Sequence, residues 1–357
     1  MEIHVLQSNN SNTSTFNNTR TTGHVEFFSP FLRNCTKITY SLIFSTGIIS
    51  NIIDFIGTAS KRPLLSLHVY ILNLVICNSL MLLLYVPTQV LLVEDQLEWK
   101  MGLDLCKIVN SILPVTFCCT IGTLLAIAFD RTRALVRPFK WREDSMKHSK
   151  IFVPLIWLTS VIINIPLFVQ PKLKEIDSVV HCCEGWRSVK EAEGFWITMF
   201  VLVYALPLLI LVITHILMIC YIQTHSLGVN HHQHLKLIFM SIKLVSVFAV
   251  CTGFQHVFFF INSSFSNVHL SVESSGILYV VSNALVSVQA SINPFLYGSF
   301  RRSVRRGRRL VLTKLSSPEA LTRKGPIRLK ILSSITTGNS RRLGVINNEA
   351  TFLVHGD

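Results

Sequence analysis

Apolar residues gather in seven long blocks, near residues 38–60, 66–93, 103–130, 150–170, 195–223, 237–262 and 276–299, with shorter polar segments between them. A helix packed on a soluble core would show apolar residues on one stripe only, whereas these runs are apolar all round. At a rise of about 1.5 Å per residue, about 20 such residues cross roughly 30 Å of hydrocarbon. The pattern predicts an all-α membrane protein, a seven-transmembrane helix bundle occupying residues 38–299. An odd number of crossings puts the two chain ends on opposite sides. Residues 1–37 are polar and rich in Asn, Ser and Thr rather than basic and then apolar. No cleavable signal peptide is read there, so the first span serves as the insertion signal.

Composition agrees with the bilayer as solvent. Half of the 357 residues are hydrophobic and 15% are charged, with a mean hydropathy of +0.48. A soluble domain of this size would need more polar surface. The formal net charge of +14 raises a nucleic-acid reading, but the distribution of the bases removes it. Lys61 and Arg62, then Arg131, Arg133, Arg137, Lys140, Arg142, Lys147 and Lys150, then Lys236, then the run from Arg301 to Lys330 all fall on one side of the seven spans. Glu94, Asp95, Glu98, Asp104, Glu175, Asp177, Glu184, Glu191 and Glu193 fall on the other. Basic loops stay cytoplasmic, so the N-terminus is expected outside a plasma-membrane protein, with lipid as the partner of the basic run. Four Asn-x-Ser/Thr sequons, at Asn9, Asn12, Asn17 and Asn34, give the first 37 residues the character of an extracellular glycosylated arm. No internal repeat is visible, which argues against a repeat-built transporter.

After the last block, arginines alternate with sparse apolar residues from Ser299 to Leu312. This predicts a short amphipathic helix on the inner leaflet over residues 300–315, with no Cys after it for a palmitoyl anchor. Residues 316–357 carry little pattern and read as a disordered cytoplasmic tail.

Several short motifs fall at matching places in successive spans. The seventh holds Asn293-Pro294-Phe295-Leu296-Tyr297, and the third ends in Asp130-Arg131-Thr132. Asn51, Asn73-Leu74, Trp157 and Pro207 lie in the first, second, fourth and fifth, and Trp99 and Gly102 precede Cys106 at the start of the third. In this order the residues resemble the rhodopsin-like (class A) G-protein-coupled receptors over roughly residues 38–312, with Trp99 and Gly102 as in many peptide-binding members. The resemblance implies a receptor rather than an enzyme, one that passes binding of an extracellular ligand to a heterotrimeric G protein. A peptide is the preferred ligand, otherwise a lipid or another small molecule. The alternative is a non-signalling membrane scavenger or heteromer partner that retains the fold. The coupling and switch residues it implies are Asp130, Arg131, Asn293, Pro294 and Tyr297. It also implies a disulfide from Cys106 to Cys182 or Cys183, and Cys35 stands outside as the candidate for a second bridge to the remaining loop cysteine.

Other positions depart from the family. Asn78 stands where an aspartate is usual, while Asp54 places a carboxylate in the first span, three residues after Asn51. An ionisable group inside a bilayer is expensive and marks function by default. Asn51, Asp54, Asn78 and Asn293 are therefore expected to form one intramembrane polar cluster. The sixth span reads Phe248-Ala249-Val250-Cys251-Thr252-Gly253-Phe254, with Thr252 and Phe254 at the family's tryptophan and proline. Gly253 is expected to supply flexibility in place of the kink. His215 replaces a tyrosine and His234 an acid, so the resting lock on Arg131 is expected to be loose and basal signalling measurable.

The family's ligand cavity maps onto Gln89, Leu113, Pro114, Phe117, Gln255, His256, Tyr279 and Asn283, which are mostly apolar and neutral. Leu113 removes the carboxylate that a monoamine would need, and Ser287 removes the lysine of a retinal Schiff base. His225, His231, His232 and His234 lie together, but their spacing matches no zinc site, so no metal is expected. No phosphate loop or nucleophile motif is present, and neither a cofactor nor an enzymatic activity is expected.

Overall fold

The computed structural model describes residues 28–61, 65–176, 178–225, 231–264 and 272–315. The sequons at Asn9, Asn12 and Asn17 and the tail from 316 lie outside the described residues, as do the side chains of His231, His232, His234 and Tyr297. The element order is α1 Pro30–Ala59, α2 Ser66–Glu94, α3 Gly102–Val136, α4 Pro138–Ile163, a helical turn at Ile165–Val169, β1 Pro171–Ile176, β2 Val179–Glu184, α5 Val189–Thr224, α6 His231–Ser264 and α7 Val272–Leu315. Seven helices are long and apolar enough to cross a membrane. The chain divides after Phe300 into two units, and the second is helical over 301–315.

Several helices start before their apolar blocks, and local chemistry explains three of the starts. The Ser29 hydroxyl accepts from the Leu32 amide at 3.3 Å and Pro30 opens the first turn, so α1 begins ahead of residue 38. Asn34 and Cys35 consequently lie on the helix rather than in the arm. Pro138 opens α4 in the same way. At α5 the Ser188 hydroxyl accepts from the Glu191 amide at 3.2 Å, while the Glu191 carboxylate accepts from the Arg187 amide at 3.1 Å. The widened π-helical turns Met81–Tyr85 and Phe200–Ala205 each run up to a proline, Pro87 and Pro207. A proline has no N–H to give and its ring needs space in the preceding turn, so the helix loosens there without ending.

Helix α3 is the axis of the bundle, with 67% of its membrane window buried against 11% in α4 and 17% in α5. Apolar side chains such as Ile49, Ile52, Ile53 and Ile56 of α1 and Leu209, Ile216 and Leu217 of α5 point outward, where a bilayer would cover them. Inside, one apolar cluster gathers Tyr40, Leu82, Tyr85, Trp99, Cys106 and Val109, and another gathers Tyr70, Leu74, Leu124, Ile127, Leu211 and Phe248.

Helices α1, α2 and α7 meet at Gly47. A Cβ there would collide with Ser291 Oγ and stand 2.7 Å from Leu82 Cδ1, and both side chains are buried. Ser291 is itself held by the Ile43 carbonyl at 3.0 Å. Gly47→Val is expected to destabilise the bundle by about 1–3 kcal/mol through overpacking. The expected readout is a lower unfolding temperature of the purified protein. An unchanged temperature would show that the helices move apart freely.

Candidate functional site

The start of α1 is tied to the C-terminal end of α2. Gln96 Nε2 donates to the Phe28 carbonyl at 2.9 Å, the Phe28 amide donates to Gln96 Oε1 at 2.8 Å, and Lys37 pairs with Glu94 at 2.6 Å. Lys100 pairs with Asp95 and Glu98 at 2.8 and 3.1 Å, and hydrogen bonds to those carboxylates hold its pKa above the usual lysine value.

The β1–β2 hairpin folds over these elements in register Leu173↔Cys182. Three contacts fix it to the bundle: the Cys106–Cys182 disulfide, the Trp99 amide donating to the Val180 carbonyl at 2.7 Å, and His181 Nδ1 at 3.1 Å from the Leu97 carbonyl. Cys106 therefore takes Cys182 rather than Cys183. The expected second bridge is absent. Cys35 faces outward from α1 while Cys183 is buried in the hairpin, so the two thiols do not meet.

Beneath the hairpin lies a cavity of about 120 Å³. Of the residues expected to line it, Gln89, Leu113, Pro114, Phe117, Gln255, His256 and Tyr279 do so. Asn283 does not. It is wholly buried, where its Oδ1 accepts from the Tyr85 hydroxyl at 2.6 Å and from Gln255 Nε2 at 3.1 Å. Its role is to hold two wall residues in place. The Tyr279 hydroxyl similarly donates to Gln89 Oε1 at 2.9 Å. The cavity also takes in Trp99, Asn110, Cys182, Glu184 and Trp196, which sequence reasoning missed. The S-x-x-E cap of α5 was the available signal that Trp196 belongs to a helix near the cavity; nothing local marked Glu184.

Near the C-terminal end of α3, Asp130 is buried and receives three donors. The Arg131 guanidinium pairs with it, the Ser66 hydroxyl donates at 3.1 Å and the Trp141 indole at 2.9 Å. The Arg131 guanidinium also lies 5.3 Å from the centre of the Trp141 ring. Ser66 and Trp141 come from α2 and α4, so the acid gathers three helices. Neighbours in the chain allow the Asp130–Arg131 pair by themselves, whereas the Ser66 and Trp141 donors add a hold that the loose lock expected from His234 did not include.

Between the two ends runs a column of polar contacts. Asn293 Nδ2 donates to Asn78 Oδ1 at 3.3 Å, and Asn51 Nδ2 donates to the Gly47 and Ala290 carbonyls at 2.8 and 3.1 Å. Asp54 is buried on the same face of α1 as Asn51. The Trp157 indole donates to Asn73 Oδ1 at 2.7 Å and Asn73 Nδ2 to the Thr123 hydroxyl at 2.7 Å, joining α4, α2 and α3. Among the described residues no group of three His, Cys, Asp or Glu is placed to hold a metal ion.

A family model described as 7 transmembrane receptor (rhodopsin family) matches residues 52–297. The chain belongs to this family. Similar curated proteins include galanin receptor 2a of Danio rerio, 24% identical over 76% of this chain and 76% of its own. Melanin-concentrating hormone receptor 2 of Homo sapiens is 26% identical over 73% and 80%, and neuropeptide Y receptor type 6 of Mus musculus 24% over 74% and 77%. The tachykinin-like peptides receptor 86C of Drosophila melanogaster is 26% identical over 73% of this chain and 55% of its own.

The receptor's sixth span is rebuilt around its departures. The Thr252 hydroxyl donates to Gln289 Oε1 at 3.1 Å, linking α6 to α7 where the family has its tryptophan. Gly253 also has a packing role. Its missing side chain admits Tyr204, whose hydroxyl would collide with any Cβ there and instead donates to the Ala249 carbonyl at 2.8 Å. The glycine thus serves a close approach of α5 to α6. His215 Nε2 and the Ser241 hydroxyl, 2.9 Å apart, make a second α5–α6 contact nearer the C-terminal end of α5.

Proposed function

We propose that this G-protein-coupled receptor lies in the plasma membrane with its N-terminus outside, takes a peptide in the cavity beneath the hairpin, and signals to a heterotrimeric G protein through the inner end of α3. The observation that carries the reading is the pairing of an outer cavity with a held Arg131 at the opposite end of one continuous helix, Gly102–Val136. A ligand that binds one arrangement of the helices better shifts the population toward it, and Arg131 is then released to a partner. The relatives named for a neuropeptide and for tachykinin-like peptides favour a peptide as that ligand.

The glycosylated arm, the inner-leaflet helix over 300–315 and the shared role of Asn51, Asp54, Asn78 and Asn293 in switching belong to the same reading. So do Asp130, Asn293, Pro294 and Tyr297 as switch residues. The test is nucleotide exchange on a panel of purified G proteins, with wild type and Arg131→Ala side by side. Exchange is expected to be catalysed by wild type and to fall at least tenfold in Arg131→Ala. Equal exchange by the two proteins would remove Arg131 from the mechanism, and no exchange on any G protein would favour the non-signalling alternative.

A further inference from the structure

Several acids on the outer side of the receptor are already engaged by the protein itself. Glu94, Asp95 and Glu98 are neutralised by the protein's own Lys37 and Lys100, and Glu191 caps α5. Glu184 differs from all of these. It is half-buried at the end of β2, it lines the cavity, and its Oε2 is held by the indoles of Trp186 and Trp196, the second at 3.1 Å. Indole N–H groups orient a carboxylate without cancelling its charge. Phe195 packs against both indoles, with ring centres 5.0 Å from Trp186 and 5.5 Å from Trp196, and so braces the pair from behind. Oε1 makes no hydrogen bond among the described residues, and Lys172, whose stem crosses Gly185, forms no ion pair with the carboxylate.

Among the described residues the cavity wall contains no lysine or arginine, and Glu184 is its sole carboxylate. A carboxylate turned toward an apolar, aromatic cavity sets up a negative potential that a cation relieves. A second, independent observation points the same way. Gln255 is 2% exposed, lines the same cavity, and its Oε1 has no hydrogen-bond partner. A buried acceptor without a donor is a destabilised group that a ligand N–H would satisfy.

We infer that Glu184 is the anionic anchor of the ligand site and selects a peptide carrying a cationic side chain, arginine before lysine. A guanidinium supplies several N–H donors in a planar fork and stacks on aromatic faces, which suits a site that presents carboxylate, amide oxygen and indole together. This inference rests on the peptide-receptor reading above and names the ligand feature that the site recognises.

The test uses the full-length receptor in nanodiscs and two synthetic libraries of hexapeptide amides, randomised except for one fixed residue. That residue is arginine in one library and its neutral isostere citrulline in the other. Affinity selection read by mass spectrometry is expected to recover arginine peptides at least tenfold over citrulline peptides from wild type. The ratio should fall to near one with Glu184→Gln, which keeps an acceptor for the two indoles and therefore the fold. With Glu184→Lys, a third library with fixed glutamate should become the preferred one. Equal recovery of arginine and citrulline peptides by wild type, or a ratio unmoved by Glu184→Gln, overturns the anchor while leaving the peptide reading intact. Failure of every library to bind a wild-type receptor that unfolds cooperatively overturns both.

Discussion

Asp130→Ala is expected to raise ligand-independent nucleotide exchange severalfold and to lower the thermal stability of the receptor. The carboxylate is the counter-charge of Arg131, and it also receives the Ser66 hydroxyl and the Trp141 indole. Its removal leaves a guanidinium whose side chain is 10% exposed and whose paired carboxylate is gone, with the Trp141 ring beside it. Breaking a buried pair from one side destabilises by about 3–5 kcal/mol, because an uncompensated charge is left behind. The protein can relieve that penalty by moving Arg131 toward the cytoplasm, which is the arrangement proposed for coupling. Asp130→Asn should fall between the two, since its one amide oxygen can keep a single one of the Ser66 and Trp141 donors, which now reach separate carboxylate oxygens, and it carries no charge. Exchange on a purified G protein without ligand, together with the unfolding temperature, checks both halves. Basal exchange equal to wild type in Asp130→Ala would show that Arg131 is restrained elsewhere.

The second large effect is expected from Cys106→Ser. The bond to Cys182 joins residues separated by 76 positions, and closing a loop of that length removes about 4 kcal/mol of chain entropy from the unfolded state. It also pins the hairpin that roofs the cavity, so loss of the bond should cost ligand binding as well as stability. Cys35→Ser supplies the contrast, because that thiol is exposed on α1 and outside any bridge. The expected result is a strong fall in surface expression and unfolding temperature for Cys106→Ser and wild-type values for Cys35→Ser. Matching losses in the two variants would mean that Cys35 is joined in the cell after all.

How much of this was legible varies with the range of the interaction. The neutral, apolar character of the α3 wall of the cavity followed from Leu113, Pro114 and Phe117, because residues at helical spacing on known spans share a face whatever the loops do. Asn283 was misplaced by a small rotation of that argument. It sits below the cavity because Tyr85 and Gln255 both reach its amide oxygen. Trp141 and Ser66 went unread at the inner end, since neither sits beside Asp130 in the chain and both arrive on other helices. The packing role of Gly253 was not legible, because a lone glycine says nothing about which neighbour fills its space, and here the neighbour is Tyr204.

Seven crossings, their orientation bias and the apolar outer surface were written in the sequence alone, because a bilayer forces each span to satisfy its own backbone and to be apolar over its whole length. The helix starts at Ser29-Pro30 and Ser188 were equally local, being capping chemistry within four residues. The choice of Cys182 over Cys183, the isolation of Cys35, the aromatic brace on Glu184 and the three donors on Asp130 were decided only by tertiary structure. Each depends on two or more segments far apart in the chain reaching one point, and side-chain identity at one position carries no record of which distant partner will arrive there.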